Sequence, residues 1–297
     1  MKNKYGKRIF SIDKFLSVIN IIALCIIGFI MIYPFWEILV KSFMTDKDII
    51  SSKTFFWPKS FQFNGYKTIF TDKTYNFGRA FINSVVVTVA VTIYQLIITT
   101  ISAYALSKKT LPGRKFINLF FIFTMYFGGG MIPYYLVIKE LNLLDSILVL
   151  IIPSFLSVYN MLIMRSFFNS IPQELYEASK IDGANQFQIF IRVVLPLSKA
   201  ILATMALFIA VGTWNNWFTS MLYLPKNSSA RPMAHVLQII IENSKSTSAE
   251  GSGVGLQLVG ESVQYAAIIV STVPILLVYP FLQKHFTKGV MIGSIKG

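Results

Sequence analysis

The chain has 297 residues, of which 54% are hydrophobic and only 13% are charged. Soluble domains carry about 25% charged residues, so this composition excludes an ordinary soluble protein and predicts a polytopic membrane protein. The net charge of +14 comes from cations scattered between apolar runs, which is typical of membrane-protein loops and argues against a nucleic-acid partner. The single cysteine, Cys25, can form neither an intrachain disulfide nor a metal cluster.

Six apolar stretches are long enough to cross a bilayer, which takes about 20 residues in a helix. The first follows a basic N-terminus and is too long for a signal peptide, whose apolar region has about 7–15 residues; we expect an uncleaved transmembrane helix. The predicted fold is an all-α polytopic membrane protein with six transmembrane helices, at residues 16–40, 81–106, 116–138, 146–164, 200–222 and 265–282. This places a transmembrane domain at 16–282 between tails at 1–15 and 283–297.

The distribution of lysine and arginine predicts which segments face the cytoplasm, because cytoplasmic loops retain these residues. The two tails and the loops 107–115 and 165–199 together hold more than half of the 27 cations. The short loop SKKTLPGRK is the clearest single signal. We therefore expect both termini on the cytoplasmic side of the membrane.

The loop 165–199 is polar and has a helical pattern, unlike the apolar stretches on either side. Ser170 and Gln173 have capping-box spacing with a proline in the first turn, which predicts a helix that runs to about Lys180. Gly183 can adopt a positive φ and so end this helix. The sequence therefore predicts a short helix followed by a tight glycine turn.

A second short helix is predicted after the glycine. Asn185 and Gln188 repeat the capping spacing, and Pro196 marks the end of the segment before the fifth span. One apolar face is predicted from residues at helical spacing, namely Phe187, Phe190, Ile191 and Val194. The pattern leaves two functions open: an interfacial helix pair among lipid headgroups, or a docking element for a soluble partner.

The same segment resembles the EAA motif of ABC-importer permeases, in which E-A-A, a glycine and I-x-L-P stand at fixed spacing. The matching residues are Glu177, Ala178, Ser179, Gly183, Val193, Leu195 and Pro196. Ser179 and Val193 depart from the pattern by small changes of similar shape. The run Asp182-Gly183-Ala184 has the form common in the sugar-importer branch.

The resemblance covers almost the whole chain and points to the maltose-importer-like carbohydrate permeases, within them to the LplC-like branch. It rests also on the stretches MYFGGGMIPYYLVIKELNLLDS, GTWNNWFTSMLYL and ESVQYAAIIVSTVPILLVYPFLQKHFTKGVMIGSIKG. It implies a non-catalytic permease subunit in a bacterial cytoplasmic membrane, forming half of a path for carbohydrate, expected to be oligosaccharide. The implied partners are a second permease subunit, an ATP-binding-cassette ATPase dimer and an extracellular or periplasmic sugar-binding protein.

In this family the helix–turn–helix is a coupling helix that sits in a cleft of the ATPase. The resemblance thus implies an ATPase-coupling role for Glu177, Ala178, Ser179, Asp182, Gly183, Ala184, Leu195 and Pro196. The family's C-terminal tail also reaches toward the ATPase dimer, which implies contacts from Gly289, Gly293 and Gly297. The sequence has no G-x-x-x-x-G-K-[ST] phosphate loop. We therefore expect no cofactor on this chain, and ATP and magnesium on the partner ATPase.

Polar and aromatic residues inside spans are candidates for the substrate path, because such groups are costly in lipid and face a cavity or a neighbouring helix. Tryptophan rings can stack on sugars and amides can bond hydroxyls, but an aromatic belt or interhelical hydrogen bonds are alternative roles. The candidates are Gln95, Asn160, Trp214, Asn215, Asn216 and Trp217. The run Gly128-Gly129-Gly130 predicts a break in the third span. His235 and His285 have no metal-ligand spacing, so we expect ordinary surface or interface residues and no metal site.

Other functions compete with carbohydrate import. One is an ABC permease for a non-sugar solute, such as an amino acid or a peptide. Another is a secondary transporter driven by an ion gradient, which usually has carboxylates inside the membrane; here Glu37 alone lies near a span, at its end. A membrane enzyme is disfavoured because the sequence has no cluster of histidines or acids.

Overall fold

A computed structural model describes residues 4–52, 56–72, 75–224, 229–248 and 260–294. Regular structure in these ranges is helical and they contain no strand, which confirms the predicted all-α class. The chain divides into two compact units. Unit 1 is Met1–Thr71 with Ile240–Val270, and unit 2 is Asp72–Ile239 with Ser271–Gly297.

The described residues form α-helices along most of their length. In chain order they are α1 (Lys4–Ser42), α2 (Asp46–Ser51), α3 (Asn64–Thr71), α4 (Phe77–Ser107), α5 (Arg114–Tyr126), α6 (Met131–Glu140), α7 (Leu148–Ile151, continued by a 3₁₀ turn at Ile152–Ser154), α8 (Val158–Ser170), α9 (Gln173–Ile181), α10 (Gln186–Ile189, continued by a π-helical turn at Phe190–Val194), α11 (Leu195–Leu197), α12 (Lys199–Trp214), α13 (Phe218–Tyr223), α14 (Met233–Ser248) and α15 (Glu261–Ser294).

Three uninterrupted helical stretches within the described residues are long and apolar enough to cross a membrane: Lys14–Ser42, Phe77–Ser107 and Glu261–Val278. They match the predicted first, second and sixth spans. Three bent helix pairs pass the same test together, so the number of spans rises to six if each pair counts as one. The predicted third, fourth and fifth spans are thus not the straight helices that hydropathy alone suggests.

The bends occur where the sequence weakens the helix. The pair α5 and α6 bends by 107° at the predicted glycine run, where Gly130 has a φ of +87°. The pair α7 and α8 bends by 41°, after Pro153 and before Ser157, whose hydroxyl caps α8. The third pair joins Gln186–Leu197 to Lys199–Trp214 at an angle of 79°, so it begins before the predicted fifth span. A further break at residues 215–217 separates α12 from α13, so the predicted span 200–222 contains two helices.

In unit 1 most side chains of α1 between Lys14 and Trp36 are exposed, as expected of a helix that faces lipid or another chain. Near its end Val40 joins Met44 and Ile49 in a small apolar cluster. The carboxylate of Asp46 accepts a hydrogen bond from the Ser262 N–H (2.8 Å). These contacts tie the start of α15 to the region that follows α1.

The core of unit 2 is built around α4, which packs against α8 and α12. One buried cluster contains Val87 and Val91 from α4 with residues of α6, α7, α12 and α13. The other contains Ala103 and Leu106 from α4 with residues of α8, α9, α12 and the π-helical turn. Val87 and Leu106 lie about 28 Å apart along the helix at 1.5 Å per residue. Helix α4 therefore connects the two ends of the unit.

Residues 229–235 are fixed to the core of unit 2 by polar contacts, of which the one at His235 is buried. The Asn83 amide donates to the carbonyls of Ser229 and Arg231 (2.9 and 3.0 Å). His235 is 2% exposed, and its Nδ1 lies 2.7 Å from Ser220 Oγ. The expectation of an ordinary surface or interface histidine is therefore corrected to a buried one, because the chain folds back onto α13. The side chain of His285 lies outside the described residues.

Candidate functional site

We use the name coupling segment, after the role that the family resemblance implies, for residues 171–198, which lie between α8 and α12. Its first helix, α9, begins at Gln173 as predicted but without the predicted cap. The N-cap position is Pro172, which makes no side-chain capping hydrogen bond. Ser170 Oγ donates instead to the Phe167 carbonyl (2.7 Å). Ser170 is still the last residue of α8, so its hydroxyl bonds back into that helix.

Helix α9 ends in a turn at Gly183, whose φ of +78° lies in the left-handed region. The Gly183 N–H donates to the Lys180 carbonyl, and the Ala184 N–H donates to the Ser179 carbonyl, both at 3.0 Å. This pair of bonds defines a Schellman motif. An added Cβ at Gly183 would meet nothing within 4 Å. The glycine is therefore required for its φ and not for space.

The second helix of the coupling segment begins with the predicted capping box. The Asn185 N–H donates to Gln188 Oε1 (2.9 Å), and the Gln188 N–H donates to Asn185 Oδ1 (2.8 Å). These two bonds satisfy donors that the first turn of a helix leaves without a partner. The turn and the second helix are thus fixed locally, by residues next to each other in sequence.

The predicted apolar face of this second helix is only half right. Val194 is buried and Phe190 is half-buried, but Phe187 is 69% and Ile191 is 44% exposed. Ile189, which was not part of the predicted face, is buried. The cause is the π-helical turn between α10 and α11. A π turn is wider than an α turn, so residues at α-helical spacing no longer share one face.

The coupling segment is anchored in the core of unit 2. Tyr176, Ile189 and Val194 are buried in the cluster that also contains Phe168 of α8. Ser198 is fully buried, and its Oγ donates to the Val194 carbonyl (2.6 Å). An element buried in this way moves together with the helices on which it packs.

The outer surface of the coupling segment carries most of the EAA-motif side chains. Glu177, Ala178, Asp182, Gly183 and Pro196 are exposed, whereas Ser179, Ala184 and Leu195 are half-buried. Two large apolar side chains are also exposed beside them, Ile181 at 87% and Phe187 at 69%. The tip therefore presents two carboxylates and two apolar side chains on a rigid support.

Lys108 connects the end of α4 with the coupling segment, a role that the sequence analysis missed. Its Nζ lies 3.7 Å from the centroid of the Tyr176 ring and 4.3 Å from that of the Tyr104 ring. Burial, with the charge of Lys180 as a second cause, lowers the pKa of Lys108 to about 8. The ammonium group thus keeps its charge at neutral pH. In the sequence, Lys108 stood out only as one of the four cations of the loop SKKTLPGRK.

Trp214 is held by protein contacts. Its Nε1 donates to the Ser271 carbonyl (3.1 Å), and its ring meets that of Phe81 edge-on at 6.1 Å. It also lines an apolar cavity of about 360 Å³ between α4, α12 and α15. These contacts favour a packing role for Trp214, since its indole N–H already has a partner.

The next three candidates form the break between α12 and α13. Asn215 is exposed, and its amide donates to the Val211 carbonyl (2.9 Å). The Asn216 side chain accepts from the Thr219 N–H (3.2 Å) and so caps α13. Trp217 is 36% exposed and meets the Phe218 ring edge-on. All three residues of the break are thus exposed, and the amide of Asn216 is already used in part by its bond to Thr219.

Two cavities flank this break. One, of about 30 Å³, includes Ser84, Ser154, Thr213 and Asn216 in its lining. The other, of about 210 Å³, includes Tyr134 and Thr219 in its lining, and both include Ser154. Gln95 on α4 and Asn160 on α8 are half-buried and line neither cavity. The six path candidates therefore do not form one pocket.

Part of the predicted tail contact lies outside the described residues. Gly289 and Gly293 fall within the backbone of α15, whereas Gly297 is not described. The described residues contain no group of three or more histidine, cysteine or acidic side chains that could hold a metal ion.

Comparison with known proteins places the chain in a family. The profile of the binding-protein-dependent transport system inner membrane component family matches residues 7–292. Protein LplC of Bacillus subtilis (strain 168) is 42% identical, over 100% of this chain and 98% of that protein. The polygalacturonan/rhamnogalacturonan transport system permease protein YtcP of the same organism is 41% identical, over 92% of this chain and 96% of that protein.

A solved structure has the same fold. It is a chain of a bacterial ABC transporter involved in the import of the acidic polysaccharide alginate, with a TM-score of 0.79 and 30% identity. The match covers 96% of this chain and 99% of that chain. The predicted resemblance to ABC-importer permeases of the LplC-like branch is thereby confirmed. The chain belongs to the family of binding-protein-dependent transport system inner membrane components.

Proposed function

We propose that the chain is one of two permease subunits of an ATP-driven importer of oligosaccharides. The observation that carries this proposal is the 41% identity, over 92% of the chain, to a permease named for polygalacturonan and rhamnogalacturonan transport. The fold shared with a chain of an alginate importer supports the same substrate class. The chain itself would bind no ATP, and a separate ATPase would hold ATP and magnesium.

The coupling segment is the proposed contact with that ATPase. Coupling requires a rigid tip on a rigid lever, and this segment is buried in the core at Tyr176, Ile189 and Val194. Its tip exposes Glu177 and Asp182, which can accept hydrogen bonds from a partner. A helix pair that only lies among lipid headgroups would not need to bury these side chains in the core of unit 2. The segment and both termini would then lie in the cytoplasm.

The sugar path is proposed to pass the break between α12 and α13. Asn215 and Trp217 are exposed there and offer an amide and an aromatic ring, the groups that bond and stack on sugars. Ligand pockets usually measure about 300–1,000 Å³, and the flanking cavities of about 30 and 210 Å³ are smaller. We infer that the second permease completes the path.

An ion-driven transporter has less support. The acidic candidate near a span, Glu37, lies 2.5 Å from the Lys41 ammonium. A coupling cation would have to compete with this ammonium group for the carboxylate.

Purification of the tagged chain from its native membranes tests the proposed function. We expect a second permease, an ATPase and a sugar-binding protein to purify with it. Recovery of the chain alone, or only with copies of itself, would contradict an ABC importer. The co-purified binding protein would then be screened against oligosaccharides, including oligogalacturonides, to identify the substrate.

A further inference from the structure

The ammonium group of Lys108 lies against two aromatic rings from different elements. Its Nζ is 3.7 Å from the centroid of Tyr176, on α9, and 4.3 Å from that of Tyr104, on α4. Cations bind ring faces within about 6 Å of the centroid, most strongly where water is excluded. No carboxylate in the described part of the chain lies within ion-pairing distance of Lys108. The rings are therefore its attractive partners, whereas the charge of Lys180 repels it.

Both rings are fixed by further contacts. The Tyr104 ring packs against Phe190 at 4.7 Å and against Phe168 at 6.3 Å. The Tyr104 hydroxyl lies 3.3 Å from the carbonyl and the side-chain oxygen of Gln186. Tyr176 is 6% exposed and directly precedes Glu177, the first residue of the EAA motif. The Lys108 side chain thus bridges two rings that cannot move freely.

The bridge also spans two elements with different proposed tasks. Lys108 directly follows α4, the helix that runs through both core clusters of unit 2. Tyr176 belongs to the helix whose far end forms the exposed tip. A force on the tip therefore reaches the end of α4 through this contact, in addition to the apolar packing around it.

We propose that Lys108 is a positioning residue that joins α9 to the end of α4, so that displacement of the coupling segment moves α4. This inference rests on the proposed contact between the coupling segment and an ATPase. It assigns Lys108 no contact with sugar or nucleotide. Its contribution is expected in the amount of sugar transported for each ATP hydrolysed.

Matched substitutions distinguish the effects of the Lys108 charge and the Tyr176 ring from the effect of packing in general. Lys108→Arg keeps a cation that binds ring faces, whereas Lys108→Met keeps the length and removes the charge. Tyr176→Phe keeps the ring and loses a buried hydroxyl that has no hydrogen-bond partner among the described residues. Tyr176→Leu removes the ring. Lys109→Met is the control, because Lys109 is the adjacent, exposed lysine.

The experiment uses the whole complex, reconstituted in proteoliposomes. The sugar-binding protein is loaded with sugar and added at a saturating concentration. Sugar uptake and ATP hydrolysis are measured on the same samples. We expect Lys108→Met and Tyr176→Leu to lower the ratio of sugar to ATP about fivefold or more. Lys108→Arg, Tyr176→Phe and Lys109→Met should stay close to the wild type.

The comparison within each pair decides the inference. If Lys108→Met and Lys108→Arg behave alike, whether both are active or both impaired, the inference is wrong. If Lys108→Met does not assemble, the pair Tyr176→Leu and Tyr176→Phe decides in the same way. Failure of the wild-type chain to retain an ATPase would instead overturn the proposed function.

Discussion

Gly183 ends the first helix of the coupling segment through its left-handed φ and the hydrogen bond from its N–H. Proline cannot supply either, because its φ is fixed near −65° and it has no N–H. We expect Gly183→Pro to abolish transport while the chain still inserts into the membrane. Gly183→Ala should lose only about 1–2 kcal/mol of local stability, and Gly183→Asn less, since asparagine tolerates this φ.

Uptake of radiolabelled sugar by cells, with the amount of chain in the membrane fraction measured by immunoblot, checks this prediction. The three substitutions act at one position where an added Cβ meets nothing within 4 Å, so a clash of the Cβ atom contributes to none of them. Normal uptake by Gly183→Pro would show that the turn is dispensable.

Trp214 and Trp217 lie three residues apart but should respond differently to substitution. Trp214→Phe removes the donor to the Ser271 carbonyl and should cost about 1–2 kcal/mol of stability, with little change in the half-saturating sugar concentration. Trp217→Ala removes an exposed ring and should raise that concentration about tenfold, which corresponds to about 1.4 kcal/mol. Thermal unfolding and concentration-dependent uptake measure the two effects; an unchanged half-saturation for Trp217→Ala would remove it from the path.

Residue-level features were predictable where neighbouring residues determine them. The Gly183 turn and the cap formed by Asn185 and Gln188 depend on local sequence, and both are present. The contact between Lys108 and Tyr176 was not predictable, because it joins residues distant in sequence. The buried His235 was missed for the same reason, since only the fold brings it to Ser220.

At the scale of elements, the segment after α1 returns to that helix in unit 1. The Trp36 Nε1 donates to the Phe56 carbonyl (2.9 Å), and the rings of Tyr33 and Phe56 lie 5.6 Å apart. Trp36 is six residues before the end of α1, or about 9 Å along the helix. Trp57 is 68% exposed beside this contact. We expect Trp57 to lie in the bilayer interface, where tryptophan is favoured.

Lipid-borne quenchers test this position. In a variant that keeps Trp57 and replaces the three other tryptophans by phenylalanine, a nitroxide near the headgroup should quench the fluorescence more than one near the chain end. Iodide in the water should quench weakly. Strong quenching by iodide with none by the lipid nitroxides would place Trp57 in water.

Hydropathy predicted the apolar stretches but not their bends. The run of glycines at Gly128–Gly130 was a visible signal for the 107° bend, because glycine frees the backbone. The break at residues 215–217 was not predicted, since its asparagines and tryptophans suit a helix or a turn. The π-helical turn escaped prediction too, because the α-helical period was assumed throughout.

At the scale of the whole molecule, the proposed topology places the coupling segment in the cytoplasm and the region after α1 outside. Cys25 is the single cysteine, so Cys25→Ser provides a cysteine-free background. We expect a cysteine at Asp182 to react with a membrane-impermeant maleimide only after the cells are opened. A cysteine at Lys59 should react in intact cells or spheroplasts, and the reverse labelling would invert the topology.

Family membership was predictable because the EAA spacing lies within one short segment, and the profile match to residues 7–292 confirms it. The specific sugar could not be predicted from the same residues. Asn215 and Trp217 suit many carbohydrates, since an amide can bond the hydroxyl groups and an aromatic ring can stack on the sugar ring of any of them. We therefore expect the specific sugar to be distinguished by the proposed partner permease and binding protein.

The most direct test of the account is uptake by proteoliposomes that contain the purified complex and a loaded sugar-binding protein. We predict that uptake requires ATP on the side of the coupling segment, requires the binding protein, and persists when ionophores collapse all ion gradients. Uptake by this chain without the ATPase, driven by a proton or sodium gradient, would contradict the account.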